Sequence, residues 1–382
     1  MSHLRRTAIV MSRLPRLLDP DAAWLIGLRA SIQRVKEIGR VLVLVEGTAG
    51  FDFVHRAAER ADVPVEFVTA DVESDSSDTT AVPMRDRTLV QSAETVLVLG
   101  VRTNGNVHRA LRERLDTDGT IELIDLEGLQ PKAVREDLIS HGARLWSPPL
   151  IDLPSSVVSS RRQSPNVIEV VPFPSAEEWC FLSHTTRACA GPWPGESVTS
   201  YVDSLLDRDD SADHSAVATL TRIITQQKLI AGNRTIRGGY PMVCLTEVPL
   251  ANLPNLRQFR THRTRWDFEP FGICLRKQWL LDRGVRPVIY GSEELWETLS
   301  DVDRPFFQRN TPEKTELKPG RQEIDWSEER EWRHQGDLDL SELGANDGFV
   351  FVPNFHAVER LAAVSRWPVT LWPDPSVTPS AD

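Results

Sequence analysis

Two unbroken apolar runs, each closed by glycine, constrain this chain more than any other feature: Arg40-Val-Leu-Val-Leu-Val-Glu-Gly47 and Glu94-Thr-Val-Leu-Val-Leu-Gly100. A strand that is apolar on both faces must be covered on both faces, as interior strands of a parallel sheet are. Around these runs the pattern changes period. Trp24, Leu25, Leu28, Ile32 and Val35 recur at helical spacing over 21–38, and 51–60, 85–93 and 106–115 read as further helices. Residues 63–69 and 120–126 read as two more strands. Such alternation implies right-handed crossovers and a parallel sheet. Residues 1–147 are therefore expected to form a Rossmann-like nucleotide-binding or sensor domain. Met1 to Leu18 mixes arginine with short apolar runs and lacks the apolar core and cleavage site of a signal peptide.

A chain of 382 residues has room for two domains. Of its 11 tryptophans only Trp24 precedes Arg144, so the two halves must have different cores. Residues 148–166, with Pro148, Pro149, Pro154 and repeated serines, read as a linker. Residues 167–372 read as an α+β effector domain and 373–382 as a disordered tail. Within 167–372, strands are expected at 168–171, 242–245, 271–275, 287–290, 329–333 and 349–352. The clearest helix is 214–230, with Val217, Leu220, Ile223, Ile224 and Ile230 on one face and Gly232 as its stop. A last helix is expected over 356–363 and a polar loop over 306–320. The expected class is thus α/β: a Rossmann-like parallel-sheet domain followed by an α+β domain.

The net charge of −11 argues against a broad basic surface gripping a nucleic acid. The local cluster Arg257, Arg260, His262, Arg263 and Arg265 reads as a solvated face, with a local basic groove as the alternative. Cys180, Cys189, Cys244 and Cys274 form no CxxC pair, which fits reduced thiols and a cytoplasmic location. No apolar stretch approaches the ~20 residues of a membrane helix. No metal site is expected, since Cys180, His184 and Cys189 lack the spacing of a zinc site.

In the first domain two strand ends carry polar, glycine-bearing turns. Gly47, Thr48 and Gly50 follow one strand; Arg102, Thr103 and Asn104 follow another. In open α/β sheets ligands bind at such carboxyl ends, near helix N-termini. The glycines allow close backbone approach, Thr48, Thr103 and Asn104 offer hydrogen bonds to phosphate or ribose, and Arg102 offers charge. There is no GxGxxG and no Walker lysine, so tight turns without a ligand are an equal reading.

In the second domain Trp326-Ser-Glu-Glu-Arg-Glu-Trp-Arg333 stands out. As one strand it would put Glu329, Glu331 and Arg333 on one face and Trp332 on the other. Two carboxylates beside a guanidinium suit acid–base work or stabilisation of a developing cation; cross-strand ion pairs are the plainer alternative. Phe181-Leu-Ser-His-Thr-Thr-Arg187 offers His184 and Thr185 as directional hydrogen-bonding groups. Tyr240-Pro-Met-Val-Cys-Leu-Thr-Glu-Val-Pro249 places Thr246 at a strand terminus, and Tyr290 ends another strand.

These pieces occur in a suggestive order. His184-Thr185 is followed by a helix ending Ile-Ile-Thr-Gln-Gln-Lys-Leu-Ile-Ala-Gly232, then Val-Cys-Leu-Thr-Glu-Val-Pro249, then the late Glu-x-Glu-Trp-Arg333. Over roughly 178–365 this order resembles bacterial abortive-infection proteins and, more distantly, DNA-targeting ADP-ribosyltransferase toxins. The resemblance implies an ADP-ribosyltransferase-like fold, a phage-defence or toxin role, and NAD as substrate of ADP-ribosyl transfer or glycohydrolysis. It places His184 and Thr185 on the NAD ribose, Tyr290 on nicotinamide, and Glu331 or Glu329 at the reacting sugar. Arg187 or Arg333 would hold the pyrophosphate, with Thr246 completing the set. The first domain would bind a nucleotide-type small molecule, the acceptor would be nucleic acid or protein, and the oligomeric state is open. The alternative is a non-catalytic ligand- and partner-binding protein of a defence system. The two readings part on whether Glu329, Glu331 and His184 meet in one pocket.

Overall fold

The structure, a computed structural model, describes residues 5–70, 82–117, 119–149, 170–260, 265–310 and 325–373. Contacts divide the chain into two units, Met1–Ser160 with Ala190–Asp213 and Arg161–Cys189 with His214–Asp382.

Unit 1 alternates strand and helix: β1 (Arg6–Met11), α1 (Ala23–Glu37), β2 (Val41–Leu44), α2 (Phe51–Arg60), β3 (Val65–Phe67), α3 (Met84–Gln91), β4 (Thr95–Gly100), α4 (Asn106–Leu115), β5 (Thr120–Ile124), α5 (Lys132–Ser140) and β6 (Arg144–Trp146). All pairs are parallel, and the order β3-β2-β1-β4-β5-β6 is Rossmann-like. The two apolar runs form β2 and β4, covered on both faces as their composition requires. Leu42, Leu44, Leu97 and Leu99 pack under α1 and α2, while Val43, Val45, Val96 and Val98 pack under α3, α4 and α5. The first strand of the sheet, β1, lies where the sequence suggested only short apolar runs among arginines. It is the pivot, paired with β2 on one side and β4 on the other.

The second domain is not continuous. Residues 190–213 leave it, and α6 (Val198–Asp207) buries Tyr201, Val202 and Leu205 in the α1–α2 core of unit 1. The expected span 167–372 missed this excursion, because helical periodicity marks an apolar face and not the core that receives it. Most of the expected linker and tail lies outside the described residues.

Unit 2 contains β7 (Phe181–Thr185), α7 (Ala216–Gln226), β8 (Lys228–Leu229), β9 (Met242–Thr246), α8 (Leu253–Leu256), β10 (Phe259–Arg260), β11 (Arg265–Trp266), β12 (Gly272–Arg276), α9 (Lys277–Leu281), β13 (Arg286–Pro287), β14 (Ile289–Gly291), α10 (Glu293–Thr298), β15 (Phe307–Arg309), β16 (Glu331–Gln335), β17 (Leu338–Asp339), β18 (Gly348–Val352), α11 (Phe355–Ala362) and β19 (Val369–Leu371). Seven strands form its main sheet, in the order β13-β16-β9-β7-β12-β18-β19. Every pair in it is antiparallel except β18 with β19. Two sequence boundaries shift. The helix expected to Ile230 stops at Gln226, where Gln227 turns left-handed (φ 52°) and the chain re-enters as β8. The strand expected over 287–290 splits at Val288 between β13 and β14, in different sheets. The expected polar loop opens with Phe306 and Phe307, both buried, and forms β15; residues 311–320 lie outside the described residues.

Directly paired residues share a face, so register assigns the two faces. Leu182, Val243, Leu245, Ile273, Leu275, Trp332, Val350 and Val352 build one core with α7, α9 and α11. On the other face a row of paired residues runs Glu331, Thr246, Ser183, Cys274, Phe349.

Gly50 tests the account of β1. It is left-handed (φ 77°), and a Cβ there would meet Met11 Sδ at 2.5 Å. Gly50→Ala is expected to destabilise unit 1 by about 1–3 kcal/mol in urea denaturation; an unchanged midpoint would contradict the β1–α2 packing.

Candidate functional site

Glu331 opens β16 because Arg330 before it is left-handed (φ 44°) and breaks the strand. Glu329 is therefore not on the strand face expected for it. It ends a 3-10 turn, Trp326–Glu329, whose last carbonyl accepts the Thr246 hydroxyl at 2.6 Å. Within β16 the alternation holds: Trp332 enters the apolar core, while Glu331 and Arg333 share the opposite face.

Arg333 is 1% exposed. Its Nε and Nη2 donate to the Glu331 carboxylate at 2.8 and 3.2 Å. Nη1 donates to the Pro305 and Phe307 carbonyls at 3.2 and 2.8 Å, and Nη2 also to Gln308 Oε1 at 2.8 Å. A guanidinium has five N–H donors, and all are used. A buried cation is tolerated only when so satisfied. Desolvation opposes its charge, but Glu331, by attraction and hydrogen bonding, raises its pKa above the ordinary arginine value. The expected pyrophosphate role of Arg333 is thus corrected: no donor remains to give a ligand. Arg333 instead fixes the Glu331 carboxylate and staples 305–308 onto β16.

Two further groups complete this side. Tyr290 on β14 accepts the Glu331 N–H at its Oη, 2.9 Å away. Burial, aided by Glu331 and Glu329, pushes its phenol up to about 12. Cys244, paired with Arg333 in register, has its thiol pushed well above the ordinary range by burial and then by Glu331. It is a neutral wall and not a nucleophile.

His184 lies two strands from Glu331, about 10 Å at ordinary strand spacing. Alternation along β7 places it on the face opposite Glu331, beside Ile273. β7 and β9 pair only at Ser183 and Thr246, and the ladder is open beyond. There His184 Nδ1 contacts the Cys244 carbonyl at 2.8 Å. A carbonyl only accepts, so Nδ1 carries the proton and Nε2 is left as an acceptor. Burial, and then Arg187, lowers the imidazole pKa and keeps it neutral, although the Cys244 bond acts in the other direction. Thr185, paired with Gly272, is half-buried at the end of β7. Thr246 is buried, donating to Glu329 and accepting from Val248 N–H at 3.1 Å, so it ties a turn rather than facing a ligand. The structure therefore joins Glu331, Arg333 and Tyr290, sets His184 one strand beyond β9, and ties the Glu329 carbonyl to Thr246. Gln308 and Cys244 carried no signal as site residues in the sequence.

In unit 1 the expected ligand loops flank the end of β1, where strand order reverses. Gly47 is left-handed (φ 77°), and the Thr48 hydroxyl donates to the Val45 carbonyl at 2.7 Å. Across β1, the Arg102 N–H donates to Ser12 Oγ at 2.9 Å and its Nη2 to the Arg13 carbonyl at 3.4 Å. Thr103 is exposed in the turn, and Asn104 is left-handed (φ 55°). The Asn104 N–H donates to His108 Nδ1 at 3.1 Å, so His108 Nε2 donates to Asp137 at 2.8 Å. Both loops are thus built into turns, and the sequence did not single out His108 as the anchor of one.

No family model matches this chain, and no curated protein matches it. Among solved structures it is similar to the molybdenum cofactor carrier protein of Chlamydomonas reinhardtii, at 11% identity over 38% of this chain and 91% of that one, TM-score 0.29. It is also similar to DNA processing protein A of Streptococcus pneumoniae, at 17% identity over 38% of this chain and 59% of that one, TM-score 0.29. DNA processing protein A of Helicobacter pylori aligns at 12% identity over 37% and 74%, TM-score 0.27. At these TM-scores the likenesses carry no argument. Among the described residues, no helix is long and apolar enough to cross a membrane.

Tyr290 supplies a pH test. Between its ordinary value near 10 and about 12 the unfolded chain releases the phenolic proton and the folded chain keeps it. Stability should therefore fall as pH rises through that window. Ultraviolet titration should show a late phenol that Tyr290→Phe removes; an unchanged titration would place Tyr290 in solvent.

Proposed function

We propose that unit 2 cleaves the nicotinamide–ribose bond of NAD, as an ADP-ribosyltransferase or NAD glycohydrolase of abortive-infection type, and that unit 1 binds a nucleotide-type ligand. The observation that carries this reading is the pairing of Tyr290 with the Arg333-fixed Glu331; the neutral His184 lies two strands away on the other face. In the reaction the bond electrons leave with nicotinamide and the ribose gains oxocarbenium character. A carboxylate held in place stabilises that charge without reorganising and orients the attacking hydroxyl, whose proton is lost as the new bond to the anomeric carbon forms. Tyr290 supplies a ring beside that carboxylate, and His184 Nε2 accepts from a ribose hydroxyl. Arg187, partly buried beside His184, takes over the pyrophosphate role from Arg333. The phage-defence setting rests on the sequence resemblance alone, and the acceptor is nucleic acid or protein.

The test is nicotinamide release from NAD by the full chain, with and without nucleic acid. Wild type should release nicotinamide, and Glu331→Gln should lower the rate on the order of a hundredfold or more. Release that is equal in Glu331→Gln, or absent from wild type in every condition, overturns the proposal and favours a binding protein in which Glu331 and Arg333 are a structural pair.

A further inference from the structure

The excursion 190–213 is not explained by either proposed site. The chain leaves unit 2 just after β7, folds as part of unit 1, and returns to unit 2 at His214. Its two crossing points are clasped: the Cys189 N–H donates to the His214 carbonyl at 2.9 Å. Within unit 1, α6 is held by its apolar face and by charge. Arg56 grips Asp203 bidentately at 2.8 and 2.7 Å. Arg60 reaches Asp203 at 3.2 Å and also pairs with Asp207. Arg29 donates to the Leu206 and Leu205 carbonyls at 2.9 and 2.7 Å, satisfying the end of α6, and Arg208 pairs with Asp21.

The helices that receive α6 are α1 and α2. Of these, α2 follows β2, whose end carries the Gly47–Gly50 loop; the other loop follows β4 and leads into α4. On the other side of the clasp, β7 bears His184 and makes only one pair with β9. A strand so weakly laddered on one side depends on what holds its end.

We propose that 190–213 is a strap: the seating of α6 on α1 and α2 sets the order of β7, the strand that bears His184. The strap is independent of the chemistry proposed above, since β7 amides report it whether or not NAD is cleaved.

Hydrogen–deuterium exchange of the full chain tests this. In the double variant Arg56→Glu, Arg60→Glu, peptides over 198–207 should lose protection, and those over 181–185 should exchange roughly tenfold faster. Peptides over 95–100, in β4, should keep wild-type rates. Adding Asp203→Arg and Asp207→Arg should restore protection to both segments. If the double reversal also loosens β4, Asp203→Asn is read on the same peptides, since it removes charge without adding repulsion. Loosening of 198–207 with wild-type exchange over 181–185 overturns the strap. Unchanged protection over 198–207 in both variants overturns it too, because the ion pairs then do not seat α6.

Discussion

The side of unit 2 that carries the candidate chemistry hangs on one buried cation. Arg333 takes the Glu331 carboxylate, two carbonyls and a glutamine amide with its five donors, and nothing is left over. The segment stapled in this way forms β15, which pairs with β14 and so positions Tyr290. A buried arginine of this kind is weak evidence for stability, because hydrophobic groups of similar shape often do as well. It is stronger evidence for geometry: losing one partner would leave a charge in the interior, so strand, segment and carboxylate are held in one arrangement.

The same sheet contains an opposite solution. Where β7 parts from β9, the Cys244 carbonyl is satisfied by an imidazole instead of a strand N–H. This fixes the tautomer of His184 and leaves its other nitrogen as an acceptor. Register along the two strands puts Glu331 and His184 on opposite faces of the sheet. The single lined face expected from the sequence therefore holds Glu331 and Arg333 but not His184.

The sequence was most legible where one force dominates. β2 and the Val96–Leu99 stretch of β4 are apolar at consecutive positions because both faces are buried. β1 carries the same kind of run, Thr-Ala-Ile-Val-Met11, but behind Arg5 and Arg6 at the chain terminus its length is too short to stand out. Trp332 against Glu331 and Arg333 followed from period-two alternation. Glu329 did not, since a left-handed Arg330 costs strain that no residue type announces. The excursion of α6 was illegible for another reason: an apolar helix face is equally compatible with either core. Asn104 and His108 show the same limit, because a histidine four residues on becomes a loop anchor only once the helix exists.

A double-mutant cycle on Glu331 and Arg333 tests the central claim most directly. Glu331→Gln, Arg333→Met and the double variant would be compared by urea denaturation. The expected result is strong non-additivity, a coupling on the order of 2 kcal/mol or more, because each single change strands a buried partner that the double change removes. Additivity within about 0.5 kcal/mol would contradict it and make Arg333 a spectator in the fold.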